Sequence, residues 1–296
     1  MTDALVAGAE VELAETAFER LPLTRRLVGT WAGRVGVAIV GAVVVVAIFA
    51  PVISPYDPLT QDLTGILKGP SARHLLGTDE LGRDLLSRIF YGSRISLGIA
   101  ASSVLLASVL GMLLGTAAAS LGRWADRIIM RLVDALLAFP VLVLAIAVSI
   151  GVGRGALAVI VAIATVNTPV FTRLARAQTL RINQRQYMTA ATLMGAGTAR
   201  KVVRHVIPNL VNAFIVQGSV ALSFAIIIEA GLSFLGLGVQ APTADWGVMV
   251  ATAKIYMTLA PHMMLVPAGA IFVTVLGLNL LGDGLSDALD PRSGSE

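Results

Sequence analysis

Two carboxylates fall inside long apolar stretches of this 296-residue chain, and they are the side chains best placed to handle charge. Asp134 lies near the start of one stretch, and Glu229 lies in the later part of another, within IIIEAGLSFLGLG. An ionisable group in hydrocarbon costs a few kcal/mol even on insertion scales, so it marks an ion or proton path or a polar contact between helices. Asp134 also has a local alternative, a pair with Arg131 one turn earlier at the membrane interface. Glu229 has no such neighbour, and a path role and a contact with another helix stand as its two readings. Other reactive groupings are absent. None of the three lysines, Lys68, Lys201 and Lys254, follows glycine and precedes Ser or Thr, so there is no phosphate-binding loop. The three histidines, His74, His205 and His262, are scattered, cysteine is missing, and no Ser/His/Asp grouping emerges. The sequence therefore reads as neither an enzyme nor a metal or redox protein, and any ATP that drives it is bound elsewhere.

The elements that must carry these residues are membrane helices. Hydrophobic residues make up 56% of the chain, charged ones 14%, and the mean hydropathy is +0.83. A soluble globule could not hide that much apolar surface. Apolar segments of spanning length occur at 34–54, 95–120, 128–151, 155–172, 211–235 and 261–283, each near the roughly 20 residues a bilayer core requires. The expected fold is thus all-α, a polytopic protein with six transmembrane helices. Gly98, Ala100, Ala101, Gly111 and Gly115 suit close helix approach inside lipid. Pro140, Pro169 and Pro267 interrupt spans and suggest kinks.

Charge sets the expected topology. The basic groups Arg25/Arg26/Arg34, Arg123/Arg127/Arg131 and those of 173–210 all fall on one side of a six-span arrangement, which the positive-inside rule makes cytoplasmic, with both termini there. Residues 1–32, polar and acidic at the start, read as a cytoplasmic leader rather than a cleaved signal. The remainder, 33–296, then has a first external loop at 55–94 with five basic and five acidic residues. The excess of basic residues follows topology, so nucleic acid is not implied as a partner, whereas membrane lipid is.

The connection 173–210 carries seven basic residues and no acidic one, and it is far longer than a chain reversal needs. Within it, Tyr187-Met188-Thr189-Ala190-Ala191 leads through Thr192-Leu193-Met194 to Gly195, and a basic stretch then reaches His205-Val206-Ile207-Pro208-Asn209. Small residues at 190 and 191 and a helix-ending glycine would let two short helices meet at a tight turn and lie in a partner's groove.

This spacing resembles the cytoplasmic coupling motif of ABC importer permeases: Glu-Ala-Ala, three residues, Gly, nine residues, then apolar, any, apolar and Pro. Ala190, Ala191, Gly195, Ile207 and Pro208 match in register. Thr189 replaces the usual acid and His205 an apolar residue, the latter like the R-H-x-x-P-N variant of the peptide-transporter branch. A second stretch, His74-Leu75-Leu76-Gly77-Thr78-Asp79-Glu80-Leu81-Gly82-Arg83-Asp84, with Tyr91-Gly92-Ser93-Arg94, resembles the first external loop of the C-type permease subunit of dipeptide, oligopeptide and nickel importers. The segment 229–238, Trp246-Gly247 and the tail through Asp290-Pro291-Arg292 fit the same family, so the resemblance runs from about residue 33 to the end.

The resemblance implies a type I ABC importer permease fold that lines half a translocation path in a bacterial or archaeal plasma membrane. It implies a second, B-type permease, two ATPase subunits or one fused ATPase that bind ATP and Mg, and an extracytoplasmic substrate-binding protein. No cofactor would be bound by this chain itself. Peptides are the implied substrate, with glutathione or nickel as alternatives. On physical grounds alone Gly77, Thr78, Asp79, Gly82, Arg83 and Asp84 have two readings, turn and capping chemistry or an external docking surface. The competing class is an ion-coupled secondary transporter or channel that uses Asp134 and Glu229, and a membrane scaffold or receptor is the third reading.

Overall fold

The computed structural model describes residues 27–289, and all regular structure among them is helical. The main helices are α1 (Trp31–Ile53), α2 (Leu85–Ser120), α3 (Arg123–Leu137), α4 (Val141–Val152) and α5 (Ala156–Asn183). They are followed by α6 (Gln186–Leu193), α7 (Thr198–Lys201), α8 (Ile207–Phe234), α9 (Trp246–Ala253) and α10 (His262–Leu289). A π-turn at Val202–Val206 joins α7 to α8, so that 198–234 runs as one 37-residue helix. Among the described residues five helices are long and apolar enough to cross a bilayer, and a sixth crossing exists if α3 and α4 count as one.

In the expected span 128–151 the interruption at Pro140 is present but far sharper than a kink in one crossing: α3 and α4 meet at a bend of 100°. Pro140 has no N–H to continue the ladder, and its ring disfavours helical backbone at Phe139, so the chain turns there. Pro169, by contrast, stays buried inside an unbroken α5, and Pro267 lies within α10. Boundaries shift as well. Helix α2 starts at Leu85, ten residues inside the expected external loop, because Asp84 caps it: its Oδ2 accepts from the Ser87 N–H at 2.8 Å. The first eleven residues of the basic connection, 173–183, are not loop but the last three turns of α5, since polar composition ends a hydrophobic window without ending a helix. Helix α8 takes in 207–210, and α10 continues to Leu289. Residues 1–26 of the leader and Asp290-Pro291-Arg292 lie outside the described residues.

Glycine sets the closest approaches. A methyl group on Gly111 of α2 would lie 2.3 Å from Phe171 Cβ of α5, and one on Gly115 would lie 2.4 Å from the Thr172 carbonyl. Gly36 of α1 and Gly284 of α10 make similar contacts, with Leu281 and Gly33. Lipid tails are as apolar as leucine, so helices associate by such backbone approach rather than by the hydrophobic effect. Gly98, in contrast, faces open space. The core lies where α2, α5 and α8 meet, and there the Phe171 and Phe214 rings sit 5.3 Å apart.

The bundle has two distinct ends. At the basic end lie the start of α1, the end of α10, the end of α5, and α6 and α7. Gly33 touches Gly284, and Ser286 and Leu289 share a groove with Arg181 and Asn209. At the opposite, capped end, the segment 54–84 folds over the start of α2 and meets α9 and α10. Arg88 donates to the carbonyls of Pro58 and Pro242, and Gly77 lies against His262.

Candidate functional site

At the basic end α5 passes into a short elbow. Helix α6 stops in a paired C-terminal turn: the Gly195 N–H donates to the Thr192 carbonyl and the Ala196 N–H to the Ala191 carbonyl, both at 3.0 Å. Gly195 takes φ +80°, the left-handed conformation this motif requires. Met188 and Ala191 face inward, whereas Thr189 and Ala190 are exposed and the tip residues Leu193 and Met194 are 84% and 82% exposed. Thr189 opens onto a cleft of about 430 Å³ with Thr198 and Lys201 on its wall. Lys201 is the cation there, and its Nζ donates to Thr192 Oγ1 at 3.2 Å. An acid at position 189 would face that ammonium across the cleft, whereas the threonine leaves it to a neutral partner.

The return limb is shaped by Pro208. It lacks an N–H, and its ring needs room near the carbonyl four residues back, so the π-turn at 202–206 widens the ladder just before it. His205 lies in that turn with its ring 5.9 Å from the Tyr187 ring, and its carbonyl accepts from Asn209 Nδ2 at 2.6 Å. The structure therefore brings Tyr187, Thr189, Ala190, Ala191, Gly195, His205, Pro208 and Asn209 into one elbow.

At the capped end the six loop residues hold their own loop together. Asp79 Oδ1 accepts from the Leu81 and Arg83 N–H groups at 2.9 Å, and its Oδ2 accepts from Arg83 Nε at 2.6 Å. Asp84 caps α2 with Oδ2 and meets His74 Nδ1 with Oδ1 at 2.9 Å. Thr78 donates to the Gly65 carbonyl and accepts from the Lys68 N–H. Gly82 takes φ +73° with the Asp62 carbonyl where a side chain would stand, and Gly77 is held similarly against Lys68. Thr78, Asp79, Arg83 and Asp84 are all buried, so these side chains fold the loop rather than face outward.

The two intramembrane candidates part company. Asp134 lies on the exposed helix α3 and pairs with Arg173 of α5 at 2.6 Å, not with Arg131. Glu229 is fully buried, and its Oε1 accepts from Ser233 Oγ at 3.1 Å. Facing it are Asp245, also fully buried, and Ser96 of α2. Asp245 caps α9 by accepting from the Val248 N–H at 2.9 Å, and Trp246 Nε1 donates to the Ile89 carbonyl at 3.1 Å. A methyl on Gly247 would lie 2.7 Å from Ala230 Cα. Glu229 is thus part of a polar knot that ties α8 to α9 and α2. No cationic side chain pairs with its carboxyl among the described residues.

Sequence reasoning passed over Asp245, Ser96, Arg173 and Arg176. An acid directly before the apolar run Trp246-Gly247-Val248-Met249-Val250 is a helix-start signal, so Asp245 was within reach of pattern. The Asp126–Arg176 and Asp134–Arg173 pairs join residues 50 and 39 positions apart, and no local signal marks them.

Comparison with known proteins agrees with this architecture. Residues 86–295 match the family described as binding-protein-dependent transport system inner membrane component, and residues 24–70 match the N-terminal TM domain of oligopeptide transport permease C. The di/tripeptide transport system permease protein DppC of Pseudomonas aeruginosa is 45% identical over 256 residues, which cover 84% of each chain. The glutathione transport system permease protein GsiD of Pectobacterium atrosepticum is 45% identical over 250 residues, 84% of this chain and 83% of that one. The dipeptide transport system permease protein DppC of Alkalihalophilus pseudofirmus is 40% identical over 258 residues, 87% and 85% of the two. With matched residues spanning α2 to α10 and including the elbow, this multi-pass membrane chain belongs to the family of binding-protein-dependent transport system inner membrane components.

Proposed function

We propose that this chain is one of two homologous permease subunits of an ATP-driven peptide importer, and that a separate ATPase grips it at the elbow 186–208. The observation that carries this reading is the apolar tip, Leu193 and Met194, held out on a preorganised turn at the basic end. Apolar side chains so exposed beside a basic surface suit the groove of another protein. The names of the relatives support peptides as the solute, and glutathione, itself a small peptide, is the second reading that the GsiD similarity favours.

In this reading the basic end faces the cytoplasm of a bacterial or archaeal plasma membrane, with both termini there. Two ATPase subunits, or one fused ATPase, hold ATP and Mg, a B-type permease supplies the other half of the path, and an extracytoplasmic binding protein delivers solute at the capped end. ATP shifts the equilibrium only if the ATPase holds one conformation more tightly than the other. The elbow runs without a break into α8, whose 28 residues extend about 42 Å. Movement at the elbow then reaches the Glu229 knot through one stiff element.

Leu193→Asp with Met194→Asp tests this in the assembled transporter. ATPase co-purification and ATP-driven peptide uptake should both fall at least tenfold, while the permease still inserts and pairs. Unchanged co-purification and uptake would overturn the docking assignment. Solute uptake driven by an ion gradient in vesicles that contain this chain alone would instead support the secondary-transporter reading.

A further inference from the structure

We infer that α3 is an interfacial helix that lies along the bilayer surface at the basic end and binds anionic phospholipid headgroups through Arg123, Arg127 and Arg131. Three observations lead there. The first is orientation. Asp126 and Asp134, eight residues apart on α3, pair with Arg176 and Arg173, only three apart on α5. At 1.5 Å per residue that is about 12 Å along α3 against about 4.5 Å along α5, so the helices cross steeply instead of running side by side. The 100° bend at Pro140 agrees, because it turns α3 away from α4, which packs along α5.

The second observation is the division of the helix surface. At about 100° per residue Val133, with Ile129 beside it, forms the side turned to the bundle, and Val133 is buried. Trp124, Ile128 and Leu132 form an adjacent stripe that is 74%, 57% and 63% exposed. The three arginines recur every four residues along the edge of that stripe, and the Arg127 guanidinium lies 4.8 Å from the centre of the Trp124 ring. One side thus meets protein, one is apolar and uncovered, and one is cationic. A helix on a bilayer beside a bundle requires this arrangement.

The third is charge. Both acids of α3 are already paired with α5, so the arginine row keeps its positive charge for an outside partner. Anionic headgroups carry the complementary charge at the depth where an interfacial tryptophan sits, and each basic residue near such a surface adds about fivefold in binding. A neighbouring permease covering the stripe is the alternative occupant. The inference rests on the proposed function only in assigning this end to the cytoplasmic leaflet.

The chain has no cysteine, so Ile128→Cys can be spin-labelled at one site before it is assembled with its partners in nanodiscs of phosphatidylcholine and phosphatidylglycerol. The label should be relaxed by membrane-dissolved oxygen several-fold more than by an aqueous nickel chelate. Protection from both reagents would mean a protein partner covers the stripe, and preferential relaxation by nickel would mean it faces water. Either result overturns the inference. Separately, the triple change Arg123→Gln, Arg127→Gln, Arg131→Gln should cut phosphatidylglycerol retained in native mass spectrometry by at least tenfold with ATPase co-purification intact. Unchanged lipid retention would overturn the headgroup assignment, and because the ATPase site is scored in the same sample, that failure is distinct from failure of the importer reading.

Discussion

Arg176 of α5 holds Asp126 of α3 through two hydrogen bonds, one from Nε to Oδ1 and one from Nη2 to Oδ2 at 2.7 Å, so that a planar fork meets a carboxylate across 50 residues of sequence. This pair and the more exposed Arg173–Asp134 pair fix the angle at which α3 crosses the bundle.

Arg176→Lys keeps the charge but loses the fork, since an ammonium cannot present two parallel donors. The pair is about one-third exposed, so the expected loss is about 1 kcal/mol or less. A fall of a few degrees in detergent melting temperature checks this, with Arg176→Ala falling further and Arg173→Lys falling less because its pair is more open to solvent.

Glu229 separates the transport classes. Glutamine keeps an oxygen that can accept from Ser233 and brings an amide that can donate to Asp245. Glu229→Gln should therefore preserve assembly and uptake within about twofold, whereas Glu229→Leu, which leaves Ser233 and Asp245 without their partner, should cost about 1–3 kcal/mol and much of the folded yield. An ion-coupled carrier would instead lose uptake in the glutamine variant, so uptake assays on the two variants decide.

At Gly195 the strain is conformational and not steric, because nothing lies within 4 Å of an added Cβ while φ is +80°. Non-glycine residues in this region cost about 1–3 kcal/mol, and asparagine least. Gly195→Val and Gly195→Glu should uncouple ATP hydrolysis from uptake or release the ATPase, while Gly195→Asn should retain most coupling. Equal activity of all three would show that the turn does not transmit the stroke.

Asp84 serves α2 and the loop together. Asp84→Ala removes the cap on Ser87 and the His74 contact, and a lost cap alone costs about 0.5–2 kcal/mol. Asp84→Asn keeps an acceptor for Ser87 and should be milder. Protease sensitivity of the segment 54–84 in membranes, rising strongly for alanine and little for asparagine, is the measurement.

Much of the elbow was legible in sequence because its geometry is local. Gly195 ends a helix wherever it must take a left-handed turn, and Pro208 forces an adjustment on the residues just before it. The capped loop was half legible: Thr78 and Asp84 are recognisable turn and capping types, but their partners Gly65, Lys68 and His74 are fixed only when the loop folds on itself. The interruption at Pro140 was legible from the residue type, but its 100° size was not, because hydropathy averages across a proline. The end of α5 lies eleven residues beyond its apolar stretch because helices do not stop where apolarity does.

Composition and pattern determined by themselves that the chain is an all-helical membrane protein with no phosphate loop, with its basic segments gathered at one end and a two-helix elbow among them. Hydropathy and turn chemistry act over a few residues, and that is why they can be read along a line. Only the tertiary structure decided that α3 crosses α5 on two ion pairs, that Asp134 is a surface partner of Arg173, and that Glu229 meets Asp245 and Ser96 in a buried knot. Those outcomes depend on which helix faces which across the bundle, and that is set by backbone approach at Gly36, Gly111 and Gly115, contacts whose partners lie far away in the chain.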